Sequence, residues 1–112
     1  MSEKIYKALR RNYKFEQELW RAICLIASGS ENIKKRLEQA YEYHISYLEP
    51  NSIPQERNRK KLEKIKDKLT KKHTKPVGEA IYYLPLKSCR TVVSDLCDIY
   101  HEFIYFEWNE NL

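Results

Sequence analysis

The sequence predicts an all-α fold, a small bundle of four main helices plus a short fifth element, and three observations carry that expectation. Turn residues are scarce: two glycines and four prolines in 112 residues, fewer than a β-sandwich or barrel needs. Apolar residues recur at spacings of three and four through most of the chain. Hydrophobic residues make up 42% of the chain, and the 33% that are charged are mixed in sign. That composition supports a core without disulfides or metals and argues against disorder. The length suits one domain, residues 1–112, burying roughly two-thirds of its unfolded surface.

The first helix is expected from about Glu3 to Ala27. Leu19, Trp20, Ile23, Cys24, Ile26 and Ala27 give its second half a wide apolar face, whereas Ile5, Leu9 and Tyr13 make a thinner one. Ser28-Gly29-Ser30-Glu31 should close it. Gly29 can adopt the left-handed conformation of a helix stop, and either serine can cap the second helix. That helix carries Ile33, Leu37, Ala40, Tyr41, His44 and Leu48 on one face and ends at Pro50. Ser52-Ile53-Pro54-Gln55 reads as a capping box with proline in the first turn, opening a third helix that runs to about Lys72. Its apolar face is only Leu62, Ile65 and Leu69, a narrow stripe that suits the outside of the bundle. Between Pro76 and Pro85 lies the short fifth element, helical or extended, since Glu79 to Leu84 is too short to decide. Ser88 caps a last helix with Val92, Val93, Leu96, Cys97, Tyr100, Phe103 and Ile104 on its buried face. The expected core is Ile23, Ile26, Leu37, Tyr41, Leu62, Ile65, Leu69, Val93, Leu96, Tyr100 and Phe103.

The feature that stands out is charge. From Glu56 to Lys75 there are ten basic and three acidic residues, a balance of +7 against +5 for the whole chain. The rest of the chain therefore sums to −2, so the positive charge is concentrated. Arg57, Lys61, Lys64, Lys68, Lys71 and Lys75 fall within roughly 80° of helical arc and form a ridge about 27 Å long. Five neighbouring like-charge pairs oppose the helix by roughly 1 to 2.5 kcal/mol in total at low salt, which a counter-charge would remove. Three readings compete: a solvated face, an acidic protein surface, or nucleic acid. The acidic surface could be the chain's own end, where Glu102, Glu107 and Glu110 flank aromatic residues. For nucleic acid, lysines suit phosphate contact, and Lys4, Lys7, Arg10, Arg11 and Lys14 could extend the footprint. Having only Arg57 and Arg59 as arginines disfavours base reading.

The preferred expectation is a non-enzymatic binding protein, a regulator or adaptor that presents this helix to an acidic protein partner. The alternative is a sequence-tolerant DNA- or RNA-binding module using the same ridge. Tyr105, Phe106 and Trp108 are the expected protein interface, with a partner or a second copy of the chain as a homodimer. A helix-turn-helix, with Asn32, Lys34, Lys35, Arg36, Glu38 and Gln39 as readers, is a lesser alternative. Of the nine tyrosines, Tyr41, Tyr47, Tyr82 and Tyr100 should pack on apolar faces and Tyr43, Tyr83 and Tyr105 should be exposed.

No metal or cofactor site is expected. Cys97 and His101 share a helix face and His44 could approach them, but zinc needs a third and usually a fourth ligand. His73, alone among lysines, reads as solvated. No phosphate loop, nucleophile turn or HExxH is present, so the expectation is no enzyme. No run reaches the roughly 20 apolar residues of a membrane span, and Met1 to Lys4 do not open a signal peptide. Cys24, Cys89 and Cys97, odd in number and unpaired in spacing, suit a reducing, cytoplasmic setting.

Overall fold

The computed structural model describes the backbone of residues 3–70 and 77–110 and the side chains of 13–70 and 79–105. Its helices are α1 (Glu3–Ser28), α2 (Ile33–Tyr43), α3 (Glu56–Thr70), α4 (Val77–Tyr82) and α5 (Leu86–Glu110). Two short 3₁₀ turns, Ile45–Tyr47 and Pro50–Ser52, lie between α2 and α3. Four main helices and a short fifth therefore form an all-α bundle, and the segment left open by the sequence is helical as far as Tyr82 and then turns through Tyr83 and Leu84.

α5 lies between α1 and α3, and α4 bridges α2 and α3. Phe15 stacks on Phe103 at 5.0 Å and Trp20 on Tyr100 at 5.2 Å, which sets α1 and α5 antiparallel. Of the expected core, Ile26, Leu37, Leu62, Ile65, Leu69, Leu96 and Phe103 are buried. Ile23, Tyr41, Val93 and Tyr100 pack half-buried against them. Phe15, Leu19, Ile45, Leu48, Ile53 and Ile99 complete the centre.

Several helix ends differ from the sequence expectation, each for a local reason. α2 stops at Tyr43 instead of continuing to Leu48. The 3₁₀ turn after it stacks residues three apart, so Ile45 and Leu48 both enter the core. It also rotates Tyr47 outward, to 70% exposure, where a continued α-helix would have turned it inward. Ser52 belongs to the second turn and does not cap α3. Ile53 is extended at φ −92° and ψ 125°, as a residue before proline must be, and the helix waits until Glu56. α5 opens directly after Pro85, whose carbonyl accepts from the Cys89 amide at 3.1 Å, two residues before Ser88.

The α1–α2 corner also departs from expectation. Asn32, not a serine, caps α2, its side chain accepting from the Lys35 amide at 3.0 Å. Gly29 is not left-handed. It is required by close approach: a Cβ there would lie 2.7 Å from Cδ of Arg36 and 3.0 Å from the Leu25 carbonyl oxygen. Arg36 crosses Gly29 to donate to the Ile26 carbonyl. Lys34 donates to the Tyr82 carbonyl at 2.6 Å. Cations in the first turn of α2 oppose that helix's own dipole, and here they complement the negative ends of α1 and α4 instead.

Candidate anionic-partner interface on the third helix

One side of α3 is buried through Asn58, Leu62, Ile65 and Leu69, and the basic ridge runs beside that stripe. Arg57 donates to Oε1 of Glu102 at 2.5 Å, and Nζ of Lys61 lies 3.7 Å from the Asp98 carboxylate. These pairs fix α3 antiparallel to α5. Lys64 and Lys68 are exposed and, among the described residues, hold no ion pair. Lys71 and Lys75, the rest of the expected ridge, lie outside the described residues, as does His73. From Arg57 to Lys68 the ridge is about 17 Å long. Its first half is matched by the protein's own carboxylates and its second half is open.

Other basic residues of α3 have structural work. Lys66 donates to the Leu48 carbonyl at 3.0 Å, satisfying a carbonyl of the irregular α2–α3 connection. Lys60 pairs with Glu56 at 3.4 Å, both largely exposed, a contact worth only a few tenths of a kcal/mol.

Sequence reasoning missed Asn58. Fully buried, it donates Nδ2 to Oε2 of Glu102 at 2.5 Å, while its buried Oδ1 has no partner among the described residues. Glu102 therefore receives Arg57 on one oxygen and Asn58 on the other. The Arg57 hydrogen bond first, and the Asn58 bond second, hold the Glu102 carboxyl below the ordinary carboxylate range. The same pairing pushes the Arg57 guanidinium up. The signal was present in the sequence: Asp95, Asp98 and Glu102 are spaced three and four apart and so share one face of α5.

This pairing predicts an acid-sensitive fold. Glu102 has a folded pKa below its unfolded one. Its stabilisation is fully present above the unfolded value and is lost as pH falls through the folded one. Urea unfolding across the acid range should show stability declining as pH drops, with a flatter decline in Glu102→Gln. Identical declines in both proteins would show that the pair contributes nothing.

The other nominated side chains do not converge on a chemical site. Cys97 and His101 are exposed. His44 instead meets Glu18, Nδ1 to Oε1 at 2.7 Å. Among the described residues no group of three His, Cys, Asp or Glu is placed to hold a metal ion. Cys89 is buried, and burial pushes its thiol pKa up, which keeps it a poor nucleophile. Tyr105 is 67% exposed, and the Phe106 and Trp108 side chains lie outside the described residues. Tyr82 is 69% exposed and so not on an apolar face as expected, and Trp20 is half-exposed at the rim of α1. The helix-turn-helix reading loses three of its six readers, because Asn32, Lys34 and Arg36 are engaged within the fold. Among the described residues no helix is long and apolar enough to cross a membrane.

Comparison with known proteins adds no identity: no protein family, no curated protein and no solved structure matches the chain.

Proposed function

We propose that this chain is a non-enzymatic binding protein, a regulator or adaptor that presents the open half of its basic ridge, Lys64 and Lys68 continuing toward Lys71 and Lys75, to an acidic protein surface. The observation that carries the reading is the division of α3. Glu102 and Asp98 of α5 pair with Arg57 and Lys61. The next two lysines of the same ridge hold no ion pair among the described residues. A carboxylate-bearing partner would extend the pattern that Asp98 and Glu102 begin, and would remove the remaining Lys64–Lys68 repulsion. A cytoplasmic setting fits the three free cysteines. The aromatic end of α5, Tyr105 with Phe106 and Trp108, is assigned to contact with a second copy. Mass by light scattering tests that: a dimer that becomes monomeric in Trp108→Ala supports it, and a monomeric native chain removes it.

The ridge is tested by anisotropy titration against polyglutamate, random duplex DNA and single-stranded RNA at two salt concentrations. Polyglutamate should bind, more weakly at high salt, and the double variant Lys64→Glu/Lys68→Glu should bind it about tenfold or more weakly. Failure of polyglutamate to bind at low salt removes the reading. Preferential binding of DNA or RNA, with a salt slope that becomes shallower in the same variant, replaces it with the nucleic-acid alternative.

A further inference from the structure

At the end of the bundle where α4 hands over to α5, two aromatic rings are exposed yet held in place. Tyr82 and Tyr83 are 69% and 62% exposed and meet edge to face at 5.2 Å and 88°. The Lys34 ammonium sits 5.6 Å from the Tyr82 ring centroid while it bonds the Tyr82 carbonyl, so one side chain touches both ring and backbone. Leu86, 53% exposed, stands on the first turn of α5. Exposed tyrosines are economical contact residues, because a large ring on only two side-chain torsions has little conformational freedom to lose on binding.

Beside the Tyr82 ring is a depression of about 160 Å³, lined by Asn32, Lys34, Lys35, Glu38, Ile81 and Tyr82, large enough for one aliphatic side chain. The segment that leads from α4 into α5 is one-sided in charge. From Ala80 to Ser94 the chain carries Lys87 and Arg90 and no carboxylate, and both cations are exposed. Glu38 at the rim is matched by Lys35 at 3.6 Å. The first turns of α2 and α5 contain no acidic residue, so no carboxylate within those turns offsets their positive dipole ends.

We propose that this end of the bundle is a second docking surface, for a short acidic segment of a partner protein that carries an apolar anchor. The anchor enters the depression against Ile81 and Tyr82, and its neighbours pack on Tyr83 and Leu86. Flanking carboxylates meet Lys87 and Arg90. The surface shares no residue with the ridge on α3 and does not depend on that assignment.

The test is selection of a randomised peptide-display library on the immobilised full chain, followed by anisotropy with the enriched peptides. The expected result is enrichment of acidic peptides with one or two aliphatic or aromatic residues. Their affinity should fall roughly tenfold or more in Tyr82→Ala/Leu86→Ala and in Lys87→Glu/Arg90→Glu. It should be unchanged in Lys64→Glu/Lys68→Glu, which separates this surface from the ridge. Because the substituted positions are exposed, thermal melts should confirm that each variant folds. The proposal is overturned if no class of peptide is enriched, if the enriched peptides are basic, or if they bind Tyr82→Ala/Leu86→Ala as tightly as the native chain.

Discussion

Phe103→Ala should cost about 3–5 kcal/mol of folding stability, a large part of the 5–15 kcal/mol typical of a whole domain. Phe103 is 1% exposed, and its ring lies 5.0 Å from that of Phe15. It is among the largest side chains buried completely. Truncation removes both the aromatic contact and the volume that seats α5 against α1. Phe103 is the residue directly after Glu102, so the packing that fixes this turn also aims the Glu102 carboxylate at Arg57 and Asn58. Urea unfolding monitored by far-ultraviolet circular dichroism measures the effect, with Phe103→Leu as a smaller truncation expected to lose less. A loss below about 1 kcal/mol would fall outside the range for a filled aromatic site and would mean that α5 is not seated on Phe103.

The fold was legible wherever one helix face decided it. Leu62, Ile65 and Leu69 announce their burial by spacing alone, and so do Leu96 and Phe103. Legibility failed where the helical period changed. His44 and Leu48 continue the α2 pattern on paper, but the chain tightens into a 3₁₀ turn after Tyr43. Ile45 moves inward by that change and Tyr47 outward, and no wheel drawn at 100° per residue can show this. The capping box at Ser52 failed for a related reason: Ile53, ahead of Pro54, is held extended and buried, so the serine cannot reach the first turn of α3.

The ridge was legible as a set of residues and not as a site. A single-helix projection places Arg57, Lys61, Lys64 and Lys68 in line, but which of them are open depends on the neighbouring helix. Arg57 and Lys61 are matched only because α5 runs antiparallel beside α3 and brings Glu102 and Asp98 level with them. The same register carries Asp95 toward Lys64, yet no ion pair joins them among the described residues. Asn58 is in phase with Leu62, Ile65 and Leu69 and was overlooked because a polar side chain does not count toward an apolar stripe.

Asn58→Asp should be among the most damaging isosteric changes in the chain, by about 3–5 kcal/mol near neutral pH. A carboxylate can only accept hydrogen bonds, so the amide nitrogen of Asn58 must face Oε2 of Glu102, as it does at 2.5 Å. Aspartate keeps the shape and replaces that donor with a second negative charge, fully buried and already lacking a partner for its other oxygen. Arg57 cannot offset this cheaply, since it is exposed and engaged with the opposite oxygen of Glu102. Two carboxylates in contact cannot both stay ionised, so one has its pKa raised above the unfolded value. That sign is opposite to the native Glu102 case: the penalty is present at neutral pH and relieved as pH falls through the raised value. Native stability should therefore decline on acidification while the variant first gains, and the two curves should converge. Urea unfolding of both proteins at neutral and mildly acidic pH reads this directly. Equal stability at neutral pH would refute the Asn58–Glu102 bond, and with it the arrangement that leaves only the far half of the ridge open.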